Sequence, residues 1–157
     1  MVKRTSSGVR MRAADAPPLG HETFQILVGK KATPFTMHKD LVSNSSLFFK
    51  AAINGNWKES EEGIVRLSED APETFDIYYK WLYFGKLFVE FEGDTTYTDG
   101  KRTSNKLLPR LTTLYQLGDK FQDHRFENAV MDALIDSVTE LKAYPVGQAR
   151  DVYDSLP

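Results

Sequence analysis

The chain has 157 residues, 41% of them hydrophobic and 12% aromatic, which points to one domain with a real core. It has no cysteine, so disulfides, thiolate metal sites and a cysteine nucleophile are excluded, and a reducing compartment fits. The net charge is −2, but Lys3, Arg4, Arg10 and Arg12 put +4 on residues 1–12; the remaining body is mildly acidic, with no general electrostatic pull on nucleic acid.

Residues 1–20 are small, polar and basic, end near Pro17-Pro18, and are expected to form a disordered tail. A targeting or nucleic-acid arm is the functional alternative for this arginine-rich stretch. Thr23 to Val28 reads as a strand, with Phe24, Ile26 and Val28 on one face by period two. Gly29-Lys30-Lys31 turns, and Thr33 to Met37 returns as a second strand with Pro34 at a sheet edge. The chain turns at His38-Lys39 into a short helix carrying Leu41 and Val42. Asn44, Ser45 and Ser46 then offer a break and an N-cap. Leu47 to Ile53 is apolar almost all round and reads as a buried helix ended by Asn54-Gly55-Asn56. A polar loop holds one large aromatic, Trp57, and Ile64 to Leu67 is a third strand.

Asp70 and Glu73 have the spacing of a capping box, and Pro72 suits a first helical turn. Phe75, Tyr78, Tyr79 and Leu82 follow at helix spacing until Gly85. Leu87 to Phe91 alternates like a short strand. Residues 92–105 read as a long surface loop, with a hairpin through Thr95 to Thr98 as the alternative. Leu107 to Phe121 is a helix whose apolar stripe is broken at Gly118. Phe126, Ala129, Val130, Ala133, Leu134 and Val138 mark another, stopped by Tyr144-Pro145. Residues 145–157 read as the start of a truncated helical extension with Val152, Tyr153 and Leu156. No run approaches the roughly 18 apolar residues of a membrane span.

Candidate chemistry is sparse. His38 with Asp40, and His124 with Asp119 or Asp123, are the catalytic-looking sets, and no serine lies in a nucleophile-elbow pattern. His21, His38 and His124 lack zinc-ligand spacing. His38 precedes an apolar pair on a core-facing helix, where a partly buried histidine that bonds backbone and fixes the strand-to-helix turn is the plain reading. No catalytic residue, metal ligand or cofactor site is assigned, and a small enzyme is the remote alternative.

Phe35, His38, Lys39, Leu41, Ser46 and Phe49, in this order, resemble the hallmark of the BTB/POZ family. Ile26-Leu27-Val28-Gly29 upstream resembles its first strand and glycine turn. Phe75, Leu82, Tyr83, Gly85 and Leu87 resemble its helix end. The resemblance spans about Glu22 to Ser137, and the fungal branch is the most similar, through NGNWKES, LSEDAPETF and LYQLGDKF. It implies an α+β fold over residues 21–144, with a small three-stranded mixed sheet flanked by about five helices, and a protein–protein interaction function inside the cell, cytoplasmic or nuclear. In the family's adaptors of cullin-type ubiquitin ligases, a hydrophobic residue, any residue, then glutamate docks on the cullin; Trp57-Lys58-Glu59 matches that pattern in the matching loop. Trp57 folding back on its own domain is the plain alternative. The charged pocket of transcriptional members is half present, with Lys39 fitting and Thr23 standing where an aspartate is needed. The family's N-terminal dimerising helix and strand have no counterpart in residues 1–20. Homo- or hetero-oligomerisation without a ubiquitin link, through the exposed face of the Leu87–Phe91 strand or the last helices, is the alternative role. Neither membrane nor nucleic acid is an expected partner.

Overall fold

The computed structural model describes residues 12–17, 19–55, 63–98 and 101–141. In β1 (Thr23–Val28), Phe24, Ile26 and Val28 are buried and Gln25 is exposed, as period two requires. β2 (Thr33–His38) runs antiparallel to β1, with Met37 opposite Phe24 and Phe35 opposite Ile26. β3 (Ile64–Leu67) runs parallel to β1 on its other side, with Val65 opposite Ile26 and Leu67 opposite Val28. Residues directly opposite share a face, so one face of this mixed sheet is apolar and the other shows Gln25, Thr36 and Arg66 to solvent. Pro34 lies in edge strand β2, as its missing amide hydrogen demands. The bond from Lys39 N to Glu22 O sets the phase of the β1–β2 ladder. The alternation of antiparallel pairs then turns the amide positions of Pro34, Thr36 and His38 outward.

A parallel pair needs a crossover, and residues 39–63 supply it through α1 (Lys39–Ser45) and α2 (Leu47–Asn54). Ser46 separates the two helices and caps the second. Its Oγ accepts from Phe49 N at 3.1 Å and donates to Phe121 O at 2.5 Å, so this buried hydroxyl is satisfied on both sides. α2 is less buried than its composition suggests. Phe49 alone is fully buried, Phe48, Ala52 and Ile53 are half-buried, and Leu47 is 55% exposed. The helix covers the core with one side and meets water with the other.

α3 (Pro72–Phe84) buries Phe75, Ile77, Tyr78 and Leu82 and ends at Gly85, whose φ of 62° is the left-handed conformation that glycine adopts without strain. The expected capping box is not made. The helix begins after Ala71, which has no side-chain oxygen, and Asp70 instead accepts from Lys120 Nζ at 2.5 Å. α4 (Leu107–Phe121) and α5 (His124–Leu141) form an antiparallel pair joined by Gln122 and Asp123. Gly118 does not interrupt α4. It lets α5 approach, since a Cβ there would meet Glu127 Cγ at 2.8 Å and Phe126 Cδ1 at 3.1 Å.

Two expectations for residues 87–105 change. Leu87 to Phe91 is not a strand, because a strand is defined by its ladder and no partner lies beside it among the described residues. The following stretch is a hairpin, β4 (Thr95–Thr98) with β5 (Lys101–Asn105), carrying an irregularity at Thr96/Tyr97. The described residues thus form an α+β architecture of a three-stranded mixed sheet, five helices and a separate two-stranded hairpin. Of the N-terminal stretch, Ala13–Asp15 forms a single 3-10 turn, with Arg12 paired to Asp15 at the exposed surface. Residues 142–157, with the expected helical extension from 145, lie outside the described residues.

Candidate interaction surface

Aromatic packing connects the residues singled out in the sequence. His38 meets Tyr83 at 5.8 Å between ring centroids, Tyr83 meets Tyr79 at 5.0 Å, and Tyr79 meets Phe35 at 5.7 Å. Phe35 packs edge-on to Phe75 at 4.9 Å, and Phe75 touches Phe49 at 6.5 Å. Phe49 and Leu41 are buried, whereas Phe35, His38 and Tyr83 are half-buried at the margin. β2, α2 and α3 are therefore tied by one continuous layer.

Among the described residues the His38 ring bonds a side chain rather than the backbone group that was expected. The Tyr83 hydroxyl accepts from His38 N at 3.2 Å and lies 2.9 Å from His38 Nδ1. Tyr83 thus holds the strand-to-helix turn from across the fold. Tyr83→Phe is expected to lower stability by about 1 kcal/mol, the usual net worth of such bonds, measured by urea unfolding. No change would mean that water replaces the hydroxyl without cost.

The catalytic-looking sets do not assemble. His124 is exposed and pairs with Glu127 at 2.8 Å, not with Asp119 or Asp123, and that bond raises its pKa above the ordinary value. Asp123 is buried and bonds Tyr78 Oη at 3.0 Å and Phe126 N at 3.0 Å. Among the described residues, no group of three or more His, Asp or Glu is placed to hold a metal, and no helix is long and apolar enough to cross a membrane.

Trp57, Lys58 and Glu59, the expected cullin contact, lie outside the described residues. Beside the ends of that segment is a shallow cleft of about 220 Å³, lined by Lys39, Ile53, Gly63 and Val65 among others. A larger groove of about 360 Å³ runs between Asp15–Pro17, Asn44 of α1, the Trp81–Gly85 end of α3, and Arg125.

At the end of α3, Phe84 adds a further exposed aromatic to the Leu87–Phe91 stretch already singled out in the sequence. Phe84 is 65% exposed, Phe88 48% and Phe91 54%. Phe84 and Phe88 stack edge-to-face at 5.8 Å. Arg110 lies 4.4 Å from the Phe91 ring centre, donates to Val89 O at 2.6 Å, and grips Asp94 with both nitrogens at 2.6 and 2.9 Å. That grip holds the Asp94 carboxylate below its ordinary pKa and fixes the base of the hairpin. The signal for Phe84 was available, since it falls outside the Phe75, Tyr78, Leu82 stripe. A cluster of exposed aromatics marks an interaction site more often than scattered single residues do.

A scan against protein-family models gives no match. A search of curated proteins gives none either.

Proposed function

We propose that this chain is a protein–protein interaction module of the BTB/POZ type, acting without catalysis or cofactor as an adaptor that presents a partner to a cullin-type ubiquitin ligase. The observation that carries the reading is the layer from His38 through Tyr83, Tyr79, Phe35 and Phe75 to Phe49. All of these but Tyr79 are residues of the family-like motif, drawn from separate elements, in contact inside an α+β frame. In this reading the aromatic of Trp57-Lys58-Glu59 fills an apolar pocket on the cullin, and Glu59 pairs with a helix N-terminus there. Trp57→Ala is expected to weaken binding to a cullin N-terminal region by about 2 kcal/mol, close to thirtyfold in Kd. Calorimetry on the wild-type chain that detects no cullin binding removes the adaptor role.

The second reading, an oligomerisation module with no ubiquitin link, is favoured by the exposed Phe84, Phe88 and Phe91.

A further inference from the structure

Residues 12–17 lie along the groove between α1 and the end of α3, and little holds them there. All six are exposed. Their hydrogen bonds are internal: Asp15 N to Arg12 O at 2.9 Å, Ala16 N to Ala13 O at 3.2 Å, and the Arg12 guanidinium to both Asp15 oxygens at 2.9 and 2.8 Å. Among the described residues, no hydrogen bond joins this segment to the body of the fold. About 360 Å³ is left open between Asp15, Ala16 and Pro17 and the helices they line. The segment is a strap that stands off its seat.

The seat has a chemistry of its own. Leu41, Trp81 and Leu82 give it an apolar lining, and Arg125 stands on its exposed side. Among the described residues the Arg125 guanidinium has no hydrogen bond and no ion pair. Both carboxylates of the groove are engaged elsewhere. Asp123 feels Arg125 only through space; it is buried and accepts from Tyr78 Oη and Phe126 N. Asp15 is held by Arg12. An arginine beside an apolar trough calls for a carboxylate next to an apolar residue, because charge-assisted bonds from guanidinium to carboxylate are the strong ones. The strap has that composition in Asp15-Ala16-Pro17, but its own arginine has already neutralised the acid.

We infer that this groove receives a short acidic peptide segment of a partner protein, its carboxylate on Arg125 and a neighbouring apolar residue against Trp81 and Leu82, and that residues 12–17 are the chain's own weak cover, displaced on binding. Five residues, 18–22, link the strap to β1. Short links give an effective concentration of about millimolar, so a partner of micromolar affinity outcompetes a cover held this loosely. The groove shares no lining residue with the cleft beside the Trp57 segment, and its use does not depend on the cullin.

The test is an NMR titration of the full chain, read at the Trp81 indole N–H. The probe is the end-blocked peptide Ala-Ala-Asp-Ala-Pro, the sequence of residues 13–17 without the neutralising arginine. The chain has two tryptophans, and Trp57→Phe identifies the Trp81 signal. That signal is expected to shift and saturate with a Kd of about 1 mM. Arg125→Ala should raise the Kd about tenfold, the size of one lost charge-assisted bond, and so should asparagine in place of the peptide's aspartate. Asp15→Lys, which sets a second cation against Arg125 and lifts the strap, should lower it about twofold or more. Both substituted positions are exposed, and thermal melting checks that the variants stay folded. The asparagine peptide on the wild-type chain needs no variant of the protein. A Trp81 signal that does not move, or that moves equally with the asparagine peptide, overturns the inference. So does a Kd indifferent to Arg125→Ala or to Asp15→Lys. A chain that takes the peptide but no cullin keeps this groove and loses only the adaptor role.

Discussion

Phe121→Ala is expected to cost about 3–5 kcal/mol, the range for emptying a large aromatic site in a packed core. Phe121 is fully buried and touches Phe49 at 4.8 Å, Tyr78 at 5.1 Å, Phe48 at 5.6 Å and Phe75 at 6.0 Å. Four rings from two helices other than its own thus lose a shared neighbour, and the cavity cannot close without moving α2 or α3. Domains of this size have only about 5–15 kcal/mol in total, so the variant should be marginal, melting about 10 °C lower or more. Leu47→Ala, at an exposed site on α2, serves as the control and should stay within about 0.5 kcal/mol. Similar urea midpoints for the two variants would contradict the aromatic hub.

Asp123→Ala comes next, at about 2–4 kcal/mol. Its carboxylate caps the start of α5 through Phe126 N, and a lost cap costs about 1 kcal/mol. It also accepts from Tyr78, whose buried hydroxyl would be left without that partner at a further 1–3 kcal/mol or so. Burial lifts the Asp123 pKa above the ordinary carboxylate value, against the bonds from Phe126 and Tyr78 that pull it down. The Tyr78 hydroxyl is pushed up too, first by burial and then by the Asp123 charge, so it stays protonated and remains the donor. The sign follows for the carboxyl. A folded pKa above the unfolded one, about 3.9, means that stability from this group is fully present below that value. It is lost as pH rises through the folded value. Asp123→Asn keeps a capping oxygen and cannot titrate. The wild type should therefore lose stability relative to Asp123→Asn as pH rises from about 4. A gap that moves the other way would show that hydrogen bonding, not burial, governs the group.

Local chemistry was readable in the sequence, and distant pairing was not. Ser46 as a cap, Gly85 as a helix end and Pro34 on an edge each follow from what one residue does to its own backbone. The faces of β1 and β2 follow from alternation. The bond from Tyr78 to Asp123 spans 45 residues, and nothing near either one announces it. Asp70 had the spacing of a cap, but a lysine fifty residues away took its carboxylate. Gly118 looked like a helix break because glycine is a poor helix former, whereas its use is set by Phe126 and Glu127 on the next helix. For residues 87–90 the alternation was real and the ladder was missing, since a pattern of side chains carries no information about which backbone lies alongside.

The outer rim of β2 bears on what happens to this protein in concentrated solution. Open sheet rims invite further chains to add on and grow into fibrils. Three backbone positions face outward on this rim. Pro34 has no hydrogen to offer, and that of His38 is already held by the Tyr83 oxygen. Among the described residues Thr36 is left as a single isolated donor, too few for an incoming chain to zip onto. Cross-β growth from this side of the molecule is blocked by two residues whose first roles are to start a strand and to finish one.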